Sequence, residues 1–228
     1  MSNLLQAEIY KIIHRKPLGI CLLFPVIIEF VNGFLHGGDQ PGTMTLLMEI
    51  IGLISCSLFA GLFIGADFSS RTMIHTVTAG KNRVLIWISR YLSFLITSFV
   101  ILLANMLAAY ASFLSFHGID VAFTAIECIA VIIYTAAGIF YDLCLVSFFF
   151  FITMLVKESG ISIAVSVVIS GILIANSNVF WVDRLFPLIN AQAIMSSIPV
   201  RNLLIVVLIS LGLMLSGSLL FQKRDILL

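Results

Sequence analysis

Residues Gly65-Ala66-Asp67-Phe68-Ser69-Ser70-Arg71-Thr72-Met73-Ile74-His75-Thr76-Val77-Thr78-Ala79-Gly80-Lys81-Asn82-Arg83 form the longest polar interruption in a chain that is otherwise almost entirely hydrocarbon. Long apolar runs flank it on both sides. Ser69 or Ser70 can cap a helix by accepting a backbone N–H of its first turn. Gly80 stands where a left-handed residue would end that helix, with Lys81 and Arg83 beyond it. Met73, Ile74 and Val77 supply a short apolar face at helical spacing. The stretch predicts a short helix at a membrane surface, able to press into a groove on another protein. The plain alternative is a solvated loop.

Composition sets the class. Of 228 residues, 61% are hydrophobic and 10% charged. A soluble domain has about a quarter of its residues charged, so a water-facing surface cannot be built from this chain. An all-α polytopic membrane protein follows. The net charge of +1 does not select nucleic acid as a partner. The first 16 residues carry charges and no small-residue cleavage site follows an apolar run, so no cleavable signal peptide is expected. Cys21, Cys56, Cys128 and Cys144 lie in apolar runs without paired spacing, and the reading is buried free thiols. The four histidines are scattered. No metal site is expected.

Outward from the polar stretch the apolar runs divide the chain. Residues 4–16 read as an amphipathic helix, with Leu5, Ile9, Ile12 and Ile13 on one face and Pro17 as its end. Such a helix lies in the interface plane with its basic residues toward lipid headgroups. Residues 1–17 are this helix, 18–65 hold spans one and two, and 66–83 are the polar segment. Residues 84–156 hold spans three and four, and 157–228 hold spans five and six. Span one contains Pro25 and Glu29. Trp87 and Tyr91 read as interfacial anchors of span three. Residues 176–201 carry Trp181, Asp183 and Arg184 and read as short or re-entrant helices at the outer face.

The apolar region 121–156 is longer than a hydrocarbon core of roughly 30 Å requires at 1.5 Å per residue. It is one long or broken helix, or two crossings split near Asp142. Charge separates these. With six spans, Lys11, Arg15, Lys16, Arg71, Lys81, Arg83, Arg90, Lys157, Lys223 and Arg224 share the side of both termini, against Arg184 and Arg201 opposite. The positive-inside rule therefore favours six spans with both termini cytoplasmic. Asp142 is expected to face protein or water, because a carboxylate at the bilayer centre costs ~3 kcal/mol on insertion scales. Tyr134, Thr135, Gly138 and Tyr141 line one helical stripe with it, and the stripe reaches back to Glu127.

No phosphate loop of the form Gly-x-x-x-x-Gly-Lys-Ser/Thr occurs, and no His-Glu-x-x-His or Gly-x-Ser-x-Gly. The chain shows no catalytic chemistry of its own.

The layout and the polar loop resemble the membrane subunit of an ABC-2-type transporter. In that family the loop after span two carries an acidic residue with Phe, a Gly-Thr pair, and later a glycine and basic residues. Here Asp67-Phe68 stands for the first pair and Arg71-Thr72 stands where Gly-Thr is usual. Ala79-Gly80-Lys81-Asn82-Arg83 and Arg90 follow. Arg71 in place of glycine and the shorter acid Asp67 are departures. The resemblance covers essentially the whole chain. It implies that residues 66–83 are a coupling helix that docks on a separate cytoplasmic ATPase, with Asp67, Phe68, Arg71, Thr72, Met73, Gly80 and Arg83 as docking residues. It also implies that ATP and Mg bind that partner and not this chain. A second permease copy or close paralogue would complete the pathway, in a bacterial plasma membrane. The small size resembles exporters that remove peptide antibiotics. Glu29, Glu127, Tyr134, Tyr141 and Asp142 are candidates for a substrate route or dimer seam. An ion-driven secondary transporter, expected to carry midplane charges and broken helices, and a non-transporting sensor or scaffold are the rivals.

Overall fold

The computed structural model describes residues 2–35, 41–69, 80, 82–117, 125–156, 158–175 and 200–223. The segment 176–199, residues Arg71, Thr72 and Met73, and the side chains of Glu127, Cys128, Tyr134, Thr135 and Tyr141 lie outside the described residues.

The elements in order are α1 (Ser2–His14), α2 (Lys16–Leu35), α3 (Pro41–Phe59), a π-helical segment (Ala60–Gly65), α4 (Ala66–Ser69), α5 (Arg83–His117), α6 (Ala125–Val156), α7 (Ser159–Ala175) and α8 (Val200–Lys223). Among the described residues every regular element is helical. Backbone groups in hydrocarbon have no water to bond, and a helix satisfies them within the segment. Four stretches are long and apolar enough to cross a membrane: Lys16–Leu35, Ile50–Phe68, Arg83–Ser112 and Gly138–Val156. Two shorter apolar helices, Ser159–Ile172 and Val207–Leu219, lie in α7 and α8.

Helix α5 is the central post, packing against α1, α2, α3, α6 and α8. At one end Arg90 of α5 meets α1 and α4, and at the other Ser112 donates a hydrogen bond to the Glu29 carbonyl of α2 (2.9 Å). The core between them is aromatic. Phe59 stacks on Phe94 with centroids 5.8 Å apart, and Trp87 and Tyr91 meet the Phe150 ring edge-on at 5.1 and 5.2 Å. Side chains facing away from this core are large and apolar, including Ile20, Leu23, Ile27 and Phe34 on α2 and Leu204, Leu208, Leu211, Leu215 and Leu219 on α8. Such an outer surface suits lipid and not water.

Four expectations change. Pro17 does not end α1. That helix stops at His14, and Pro17 sits in the first turn of α2, where its missing N–H leaves no bond unmade. Trp87 and Tyr91 are not interfacial anchors. Both are buried, the indole N–H donating to the Met214 carbonyl (3.1 Å) and the Tyr91 hydroxyl to Ser147 Oγ (3.0 Å). Periodicity places both rings on α5 but cannot say that α6 and α8 cover them. Asp67 and Phe68 do not belong to a loop. They continue the second apolar helix through its π-segment into α4. Finally, the basic residues Lys11 and Arg15 pair with Asp67 rather than pointing only toward headgroups.

The long region after residue 121 is one unbroken helix from Ala125, and Asp142 does not split it. Asp142 is 3% exposed, so it faces the protein interior. Gly138, one turn earlier, faces the Met106 methyl group, which would lie 3.7 Å from an added Cβ. Phe140, on another face, is exposed.

Buried hydroxyls are numerous, and most bond their own helix. Ser55, Ser93, Thr97, Thr153 and Ser170 each donate to the carbonyl four residues back, at 2.7 to 2.8 Å. This back-bonding lets a hydroxyl enter an apolar interior without a partner from another helix.

The close contact of α5 with α8 gives a test. A Cβ on Gly217 would stand 2.1 Å from the Trp87 ring, whereas Gly212 has nothing within 4 Å. Gly217→Leu should lower the thermal unfolding temperature of the purified protein in detergent by several degrees, an effect of order 1–3 kcal/mol for overpacking. Gly212→Leu should leave it unchanged.

Candidate functional site

Helix α1 presents Glu8, Lys11 and Ile12 along one side, because positions i, i+3 and i+4 share a helix face, and Arg15 follows just after its end. Ile12 is buried in the core, and the three charged residues meet two further charges brought by other elements. Asp67 stands on α4 with its side chain 0% exposed. Its Oδ1 accepts a hydrogen bond from Arg15 Nη1 at 2.9 Å, and its Oδ2 accepts one from Lys11 Nζ. Arg90 of α5, 1% exposed, places Nη1 3.0 Å from the same Oδ2 and Nε 3.4 Å from Glu8 Oε1. By distance these two are ion pairs. The Arg90 nitrogens are not aligned for hydrogen bonds, so the contact is coulombic and not directional.

Phe63 of the π-segment lies under Lys11, with Nζ 5.5 Å from the ring centroid, a cation–π arrangement. The cluster therefore joins α1, the end of the second apolar helix and the start of α5. Among the described residues it holds Lys11, Arg15 and Arg90 against Glu8 and Asp67. Lys11 and Arg15 are partly exposed, while the Arg90–Asp67 pair is sealed. The inner pair is thus the one for which solvent offers no substitute.

Beyond the cluster, Gly80 has φ +75°, the left-handed geometry expected at that position. The Asn82 side-chain oxygen accepts the Val84 N–H at 3.0 Å and caps α5, whose first residue is Arg83. Of the other proposed docking residues, Phe68 is half-buried against the core.

The candidates for a pathway lie deeper. Glu29 is 4% and Asp142 3% exposed. Among the described residues neither forms an ion pair, and Glu29 Oε1 is buried without a hydrogen-bond partner. The structure does not bring them into one contact. Cys21, Cys56 and Cys144 are buried free thiols, the Cys56 thiol pointing at the Ser98 carbonyl (3.9 Å). Among the described residues no group of His, Cys, Asp or Glu could hold a metal ion.

Sequence reasoning placed only Asp67 in the site and did not include Arg90, Glu8, Lys11 or Arg15. The signal was present: a lone arginine within the apolar run of α5 needs a carboxylate, and Glu8-Lys11-Arg15 has the spacing of a single face. Which carboxylate answers Arg90 is a tertiary fact.

A scan of the chain against protein-family models returns no match, and no curated protein matches it.

Removing Arg90 while leaving Asp67 and Glu8 buried should be severe. Arg90→Met is expected to destabilise the protein by about 3–5 kcal/mol, and Arg90→Met with Asp67→Leu should recover a large part of that loss. Arg15→Gln, on the wet side of the cluster, should cost under about 1 kcal/mol. Urea or thermal unfolding in detergent, followed by the core tryptophan Trp87, measures all three.

Proposed function

We propose that this chain is the membrane-spanning permease subunit of an ATP-driven exporter of the ABC-2 type, with six spans and both termini in the cytoplasm. The observation that carries the reading is the charged joint. The polar segment after the second apolar helix begins at Asp67, and Asp67 is tied to the N-terminal helix and to α5 at once. A force that reaches Asp67 would pass directly to two other elements through its ion pairs. A subunit driven mechanically from outside needs such a connection, and this chain carries no phosphate loop of its own.

On this reading α1 and residues 66–83 are the levers on the cytoplasmic face. The partner is an ATPase that binds ATP and Mg. Asp67 acts within the chain as the anchor of the docking segment, and contact with the ATPase falls to residues beyond it, Arg71, Thr72 and Met73. A second copy or a paralogue completes the translocation unit. The substrate is amphipathic, with a peptide antibiotic as the leading class.

A second reading draws on Glu29 and Asp142. Two buried carboxylates without a described cationic partner suit an ion-coupled transporter. The two readings separate by dependence on an ATPase. An adjacent reading frame encoding a phosphate-loop ATPase would favour the first reading, and that ATPase mixed with the purified chain should form a complex that survives gel filtration. Met73→Asp should abolish the complex without changing thermal stability. Complex formation unaffected by Met73→Asp and by Arg71→Glu would remove the docking surface from consideration. Transport in proteoliposomes driven by an ion gradient alone would favour the second reading.

Asp142 has its own test. Asp142→Asn and Asp142→Leu should both assemble and both lose transport if the carboxylate lines the route. Loss of assembly in the leucine variant alone would assign it to helix packing.

A further inference from the structure

The second apolar helix reaches the charged joint through an irregularity. The Ala66 N–H bonds the Gly61 carbonyl, five residues back, and Ala60–Gly65 is wound as a π-helix. A π-segment carries one more residue than an α-helix needs for the same connection. Its hydrogen bonds are poorer, so it persists where outside contacts hold it, frequently at functional sites.

Two contacts hold this one, on different sides. Beyond the segment, Asp67 is fastened to Arg90, Lys11 and Arg15. Beside it lies the first turn of α7. A Cβ on Gly65 would fall 2.7 Å from Ser159 Cα, and one on Gly61 would fall 2.2 Å from Ile163 Cγ1 and 2.9 Å from the Ser159 carbonyl oxygen. Backbone rests on backbone here, which only glycine allows. Phe63 adds a third hold, stacked on Phe59 at 5.4 Å and lying under Lys11.

We infer that Ala60–Gly65 is a register switch that couples α7 to the charged joint. In the π register Asp67 faces Arg90. In the α register everything after the segment turns by about 100° and shifts by about 1.5 Å, because one residue of an α-helix occupies that angle and rise. Asp67 then leaves the cluster, and Lys11 and Arg15 lose their acceptor. Arg90 keeps Glu8, which already stands 3.4 Å from its Nε. The open register therefore does not leave the buried guanidinium without a carboxylate. The change is discrete, since a helix cannot be half a residue out of register, and both neighbours bias it: α7 through the two glycines, α1 and α5 through Asp67. The inference concerns the chain alone and does not require that it be a transporter.

Amide hydrogen exchange read by mass spectrometry tests this, on the full chain in nanodiscs of phosphatidylcholine and phosphatidylglycerol. Asp67→Asn weakens one hold and Gly65→Ala the other. Each should speed exchange at residues 60–67 and at residues 159–163 together, by about tenfold, since both favour the same local opening. The double variant should exchange faster than either single variant at both segments, by about the product of their effects, because the two changes act on one opening and their free energies add. Deleting Leu62 removes the extra residue, gives a continuous α-helix with Asp67 still toward Arg90, and should slow exchange at 60–67 below the unmodified chain. The proposal is overturned if each single variant acts only on its own side of the segment, or if each segment of the double variant exchanges only as fast as in the single variant on that side. It is overturned equally if a folded Leu62 deletion exchanges as fast as the unmodified chain. Should that deletion fail to fold, the single and double variants decide alone.

Discussion

A guanidinium withdrawn from water has to be met by carboxylates, and Arg90 is withdrawn almost completely. Much of the arrangement at that end of the bundle can be read as the answer to this requirement. Asp67 must arrive from the end of the second apolar helix, and Glu8 from a helix ahead of the first. Asp67 is itself buried, and it needs more than one donor because its carboxylate has two oxygens to satisfy. Lys11 and Arg15 supply them. The amphipathic helix is thereby pinned to the bundle by a specific set of charges, and Ile12 adds apolar contact beside them.

The aromatic core follows the same post. Trp87, Tyr91 and Phe94 lie within a turn or so of Arg90 on α5, and their rings are clasped by Phe59 and Phe150 from two other helices. Lipid tails are as apolar as leucine, so burying a ring among helices gains little from the hydrophobic effect. Close packing and directed hydrogen bonds carry the association instead. The fit of Trp87 over Gly217 and the bond of its N–H to Met214 are of this kind. Ser112 against Gly33 and the Glu29 carbonyl does the same at the opposite end of α5.

Some polar groups resist this packing logic. Hydroxyls are absorbed by their own helices, as Ser93 and Thr97 are. The carboxylates of Glu29 and Asp142 cannot be absorbed in that way, and they sit inside the bundle away from the charged joint. The molecule thus separates two kinds of buried charge. One kind is paired across three elements near one end. The other stands in the interior without a described countercharge.

Membrane character, helical class and the near-continuous apolar lengths were legible in the residues, because a chain with 10% charged residues has no means of facing water. Asp142 turning away from lipid was legible too, since the cost of a carboxylate in hydrocarbon depends on the residue and its depth, not on its neighbours. The left-handed Gly80 could be read locally for a similar reason. The partners of Arg90, the enclosure of Trp87 and Tyr91, and the removal of Asp67 from the loop into the helix were decided by tertiary structure alone. Each depends on which helices lie side by side, and helical periodicity gives the face of a residue without naming what faces it. The π-segment belongs with these. Nothing in Ala60-Gly61-Leu62-Phe63-Ile64-Gly65 as a sequence demands an extra residue in the turn. It is required only because Asp67 must reach Arg90 while Gly61 and Gly65 lie against α7.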